Sequence, residues 1–176
     1  MSWGHRWRYK RAFTVPPKGA RYTSDLADAG QLGVGIPRGA DINAALATDP
    51  SNTLVISYHL ANAFNTPSRS VLFEGVAANY PSLLPFVNLV YGSHTHHPFD
   101  PIDITSASGI RQGDPLGSAL FSLMGKRTLQ AVKTAHPGVH PLAYTDDTYL
   151  IGPPKDMTGA FHTLIQAAAN LSLIHI

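Results

Sequence analysis

A chain of 176 residues with a hydrophobic fraction of 44% has the size of one packed domain, or of a piece of a larger one. Its formal net charge of +2 permits a nucleic-acid partner without demanding one, and the lack of cysteine excludes a disulfide framework and cysteine-ligated zinc. No run of about 18 apolar residues occurs, which excludes an apolar helix of membrane-spanning length.

In chain order, residues 1–29 show no clear period and carry Pro16, Pro17 and Gly19, so they read as an irregular basic arm. Arg6, Arg8, Lys10 and Arg11 within it could touch phosphate, although such a run is more often a solvated tail. A glycine-rich turn follows at Gly33, Gly35, Pro37 and Gly39, then a short helix over Asp41–Thr48 closed by Asp49-Pro50. The β-branched run Thr53–Tyr58 predicts a buried strand. Ser68 is placed to cap a helix running through Val76 to Asn79, and Pro81 to start another through Val87 and Val90. His94, His96 and His97 fall in a loop and are read as surface histidines; Phe99–Ser106 is read as a strand with Ile102 and Ile104 on one face. Leu116 opens a helix carrying Leu120, Leu123 and Met124 at helical spacing. Leu142–Thr145 and Thr148–Ile151 predict two strands flanking Asp146-Asp147. Pro153-Pro154 stop that hairpin, and an alanine-rich helix runs from about Thr158 to Asn170. Strands mixed with helices in this order predict an α+β sheet covered by helices rather than a regular βαβ alternation.

Residues 171–176, Leu-Ser-Leu-Ile-His-Ile, match the in-frame translation of a common sequencing-library adapter, and the main domain is expected over residues 30–170. An ordinary apolar helix end is the alternative. On the adapter reading, the natural chain continued beyond Asn170.

Three segments carry chemistry. Adjacent acids Asp146 and Asp147 between two apolar strands repel one another unless a cation sits beside them, and Mg²⁺ prefers carboxylate oxygen. A plain Asp-Asp turn remains open at this point, because Asp favours turns. Gly109–Phe121 holds glycines that let backbone approach a ligand, with Arg111 able to meet phosphate and Gln112 able to donate or accept hydrogen bonds. The third segment is His59–Asn65, following the β-branched run and preceding Ser68-Arg69.

Taken together and in this order, these segments resemble the palm of reverse transcriptases from non-LTR retrotransposons, with part of the fingers, which implies a small antiparallel sheet with helices on one face. His59–Arg69 resembles the first palm motif, Gly109–Phe121 the second, and Ala143-Tyr144-Thr145-Asp146-Asp147 the third. Gln31–Gly35, with Gly39-Ala40-Asp41, resembles the segment that precedes the first motif. A dinucleotide-binding glycine loop is disfavoured, since no strand precedes Gly33 and the third glycine stands one place too late. The fingers segment normally found upstream is not recognisable in residues 1–29, and the lysine-bearing motif and thumb are expected beyond Asn170.

The resemblance implies RNA-directed DNA polymerisation on an RNA template and a DNA primer, with deoxynucleoside triphosphates as substrates and two Mg²⁺ ions at the site. No membrane is expected, and a nuclear location only if the chain acts on chromosomal DNA. Asp146 and Asp147 would be catalytic metal ligands, while the first-motif aspartate position falls on His59. Imidazole is largely neutral near pH 7 and suits zinc or copper better than magnesium, so this copy is expected to be impaired. The carbonyl of Leu60 would remain, without a full charge. Phe64 would lie under the incoming sugar and select deoxynucleotides, or else simply pack in the core. Gln112 and Gly113 would face nucleotide and template, with Arg111 on nucleic-acid phosphate and Arg69 either on phosphate or paired locally. A non-catalytic nucleic-acid-binding remnant, or a decayed element with no selected role, are the competing readings.

Overall fold

The computed structural model describes residues 25–34, 40, 41, 44 and 54–171. Outside them lie the arm before Asp25, the glycine-rich turn beyond Val34, most of the helix expected over Asp41–Thr48, and the tail after Leu171. The main elements are β1 (Leu54–His59), α1 (Arg69–Asn79), a 3-10 turn (Pro81–Leu83), α2 (Leu84–Tyr91), β2 (Thr95–Phe99), β3 (Ile102–Ser106), α3 (Gly117–Ala135), β4 (His140–Tyr144), β5 (Asp147–Gly152) and α4 (Pro154–Asn170).

β1, β5 and β4 form an antiparallel sheet in that order, with β5 in the middle. Side chains alternate between faces along a strand. Leu150 of β5 therefore joins Val132, Met157, Ala160 and Leu164 under α3 and α4, with Ile56 and Tyr58 of β1 beside them. Tyr149 and Ile151 turn the other way, against Leu142 and Leu32. Asp147 and its cross-strand partner His59 belong to this second face, away from the helices.

β1 is a correction to the buried strand expected from its β-branched run. It is an outer strand, with Leu54 and Val55 each 38% exposed. Residue type marks a strand but not its place in a sheet, and only Ile56 and Tyr58 turn towards the helices. The helix layering also differs from expectation. α3 packs on β4 and α4 on β5 and β1, whereas α1 packs on the far side of α3. Leu72, Val76, Val87 and Tyr91 thus meet Leu120, Phe121, Leu123 and Met124 rather than the sheet. A helix apolar on several sides, as α3 is, takes the middle layer.

Local signals account for most boundaries. The Ser68 side chain accepts from the Ser70 amide and caps α1 as its sequence predicts. α4 starts at Pro154, four residues before the expected point, because an extended Pro153 followed by proline at N1 opens a helix as readily as it ends a strand. β2 and β3 form a hairpin of their own where a loop and one strand were expected. His96 pairs with Thr105, and its ring lies 3.0 Å from Asp103. Leu171, assigned from sequence to the tail, is buried in the larger core cluster.

Residues 25–29, read from sequence as irregular, form a helical turn that buries Leu26 and Ala29. So short a helix shows no period; tertiary contacts hold it, including Tyr80 Oη donating to Asp25 at 2.9 Å and Lys133 Nζ to the Asp28 carbonyl at 2.7 Å. The chain then runs as a strap along β4, with Leu32 N donating to Ala143 O at 2.7 Å and Ala143 N to Gly30 O at 2.8 Å. Gly30 has φ +102°, and a Cβ there would lie 2.2 Å from the Pro141 carbonyl oxygen. Gly30→Ala is expected to cost about 2 kcal/mol. Gly125, inside α3 with nothing within 4 Å of an added Cβ, should behave oppositely. Gly125→Ala should stabilise by about 0.5–1 kcal/mol. Urea denaturation of the two variants checks both signs.

Candidate functional site

The β4–β5 hairpin turns through Thr145 and Asp146, and Asp147 is the first residue of β5 rather than part of the turn. Asp147 stands directly opposite His59 at the end of β1, and His59 Nδ1 lies 2.9 Å from Asp147 Oδ1. The two side chains are 64% and 48% exposed, so the pair contributes at most about 1 kcal/mol to the fold. Asp146 is half-buried in the turn. The structure thus brings Asp147 and His59 together on the open face of the sheet. Among the described residues, no group of three His, Cys, Asp or Glu side chains is spaced to hold a metal ion.

The turn has an unusual backbone. Thr145 has φ 61°, a region that β-branched residues rarely occupy and that costs about 1–3 kcal/mol. The side chain of Gln31, on the strap beside β4, meets this peptide from both sides. Its Oε1 accepts from Thr145 N at 2.9 Å and from Gly33 N at 3.0 Å, and its Nε2 donates to Thr145 O at 3.2 Å. Below the turn lies a cavity of about 20 Å³, lined in part by Gln31, Tyr58, Leu60, Phe121, Thr128 and Thr148. That is room for one water, and the buried Thr128 hydroxyl has no protein partner.

The first-motif and second-motif segments are stitched together by backbone. Ile110 N donates to Phe64 O at 2.6 Å and Gly109 N to Pro67 O at 2.9 Å. Gly109, at φ +68°, sits where a Cβ would fall 2.5 Å from Asn65 Cα, so glycine is required for this approach. Phe64 stacks on Phe121 with ring centroids 4.6 Å apart, which makes it a packing residue in the larger core. Leu60 is buried, while Gln112 and Gly113 are exposed in the loop before α3.

Of the two readings of Arg69, phosphate contact or local pairing, the structure shows the local pairing. Only 8% exposed, Arg69 donates to the carbonyls of Gly109 (3.3 Å), Ser93 (3.4 Å), Ser106 (3.0 Å) and Ser108 (3.4 Å), and to Ser106 Oγ (2.9 Å). Its guanidinium is consumed by the loops it ties together. Arg111 is half-buried, with Nη2 on Thr95 Oγ1 at 3.0 Å, and both guanidinium groups lie 5.6–5.7 Å from the Tyr91 ring centroid. Tyr91 Oη donates to Asp114, whose other oxygen accepts from Leu116 N at 2.9 Å. Sequence reasoning missed Tyr91 and Asp114 as the support of Arg111. Tyr91 lies 23 residues from Asp114 and reads locally as a helix residue.

Burial, then the hydrogen bond to Asp114, holds the Tyr91 phenol protonated well above the usual tyrosine range. The folded chain keeps this proton more tightly than the unfolded chain does. Its contribution to stability is therefore intact below about pH 10 and is lost as pH rises from there towards the folded value. Unfolding free energy measured from about pH 8 to 11 should fall over the upper part of that range. Tyr91→Phe should lessen the fall, and Tyr58, also raised by burial, accounts for part of the remainder.

No family model matches the chain. Among curated proteins it is 26% identical over 126 residues to the Retrotransposable element SLACS 132 kDa protein of Trypanosoma brucei gambiense, covering 65% of this chain and 10% of that protein. The chain spans about a tenth of that relative's length, and the likeness is a distant relatedness to a retrotransposon protein. No helix among the described residues is long and apolar enough to cross a membrane.

Proposed function

We propose that this chain is part of the palm of a retrotransposon RNA-directed DNA polymerase, impaired in nucleotidyl transfer by His59. The observation that carries the reading is the juxtaposition on one open sheet face. A hairpin presents Asp146 and Asp147 beside the end of a strand that holds His59, in the sheet order β1-β5-β4. The glycine loop at Gly109 is bonded to the segment after that strand, and the distant likeness to a retrotransposon protein supports the same reading.

In polymerase chemistry of this class, two Mg²⁺ ions assist attack of a primer 3′-hydroxyl on a deoxynucleoside triphosphate. The side chains present do not fit that pair of ions. Two carboxylates remain, one oxygen of Asp147 faces the His59 imidazole, and a nitrogen ligand stands where this chemistry calls for an anionic oxygen donor. Asp146 in the turn and Asp147 at the start of β5 are the acids that this reading assigns to the third motif. In this reading Gln112 and Gly113, exposed before α3, would face nucleotide and template, and Phe64 supports that loop through its backbone bond to Ile110. RNA template and DNA primer are the proposed partners. Restoring carboxylate at position 59 within a complete relative tests the reading: magnesium-dependent primer extension should rise at least about a thousandfold.

A further inference from the structure

We propose that Gln31 is the positioning residue of the aspartate turn. Its side-chain amide holds the left-handed Thr145 peptide, and that peptide sets the directions in which Asp146 and Asp147 leave the sheet. The consequence for nucleotidyl transfer rests on the polymerase reading above; the clamp itself does not.

The amide has one orientation that works. The N–H groups of Thr145 and Gly33 need an acceptor and the Thr145 carbonyl needs a donor, so Oε1 and Nε2 are fixed by their partners. Gln31 is 1% exposed, and a polar side chain so deeply buried is retained only if its groups are bonded. The anchor is stiff as well, because the strap around Gln31 is bonded to Ala143 on both sides. Gly33 completes the approach: a Cβ there would lie 2.6 Å from Thr145 N and 2.8 Å from Thr145 Oγ1. Thr145 is a β-branched residue at φ 61°, a conformation that persists only when the surroundings determine it. Gln31 bonds both backbone groups of that residue, and Asp146 and Asp147 come next in the chain. Moving the Thr145 peptide therefore re-aims both acids.

The test separates a clamp from a filler of space. Gln31→Met keeps the length and loses the hydrogen bonds; Gln31→Asn keeps the amide and is one methylene too short to reach. In the 176-residue chain, either should speed exchange of the Thr145 amide by at least about tenfold. The backbone resonances of Asp146 and Asp147 should move, while the Leu150 amide in mid-strand exchanges as before. Adding Thr145→Gly should return the Asp146 and Asp147 resonances towards their original positions, because glycine adopts this φ without help. A residue that merely fills the core would not be rescued in this way. Thr145 exchange within about threefold of the parent, or unmoved aspartate resonances, would overturn the clamp. Within a complete relative carrying His59→Asp, Gln31→Met should lower kcat by at least about tenfold and leave KM for nucleotide nearly unchanged, with Thr145→Gly restoring kcat. Unchanged kcat there would overturn the positioning role. No extension even before Gln31 is altered would instead count against the polymerase reading, and the amide measurements would still decide the clamp.

Discussion

Replacing Arg69 by methionine is expected to lower the unfolding free energy by about 4 kcal/mol. The loss follows from what the guanidinium holds. Four carbonyls, of Ser93, Ser106, Ser108 and Gly109, converge on one planar group, and these residues flank the β2–β3 hairpin and open the second-motif loop. Methionine fills similar space but leaves those oxygens without their charged donor, each a loss of roughly 1 kcal/mol or more. Burial, and then the neighbouring charge of Arg111, lowers the Arg69 pKa from its ordinary high value, yet arginine remains charged at any pH where the chain folds. Arg69→Lys should recover little, because a single ammonium group cannot span the set that the fork reaches. Urea titration measures the loss. Hydrogen exchange should show the β2–β3 hairpin opening first, since a two-stranded hairpin has little stability of its own. A change below about 1 kcal/mol would show that water serves those carbonyls equally well.

The readable parts of the chain were those written locally. Ser68 before an apolar stretch gave the start of α1, and two apolar runs around Asp146-Asp147 gave the β4–β5 hairpin. What stayed hidden depended on partners far along the chain. Gln31 and Thr145 are 114 residues apart, and nothing near either residue marks a clamp. Arg69 carries the same charge whether it meets phosphate or carbonyl oxygen, and only the return of the chain at Ser106–Gly109 decides between them. The exposure of β1 depends on its outer place in the sheet, which its β-branched residues do not encode. Leu26 is buried in a core built by helices that follow much later, from a turn too short for periodicity to show. The juxtaposition of His59 with Asp147 was anticipated from motif order. The start of β5 at Asp147 rather than at Thr148 was not, because strand ends are where pattern reading is least sharp.

The largest effect is expected at His59. Its pairing with Asp147 is solvent-exposed and weak, so replacing it should change stability by no more than about 1 kcal/mol. Aspartate there would place like charges directly opposite across two strands, a mild cost that a divalent cation can remove. Supplying the missing anionic oxygen should instead lower the barrier to nucleotidyl transfer by several kcal/mol, which is roughly a thousandfold in rate. Binding of primer and template should be the same with either residue, because phosphate contacts from arginine and lysine supply most of that affinity. The decisive measurement is magnesium-dependent primer extension by a complete, active relative carrying this segment, with and without His59→Asp. Extension at least about a thousandfold faster with the substitution, at equal primer–template affinity, is the expected result. Rates within about tenfold of each other, whether both fast or both absent, would contradict it.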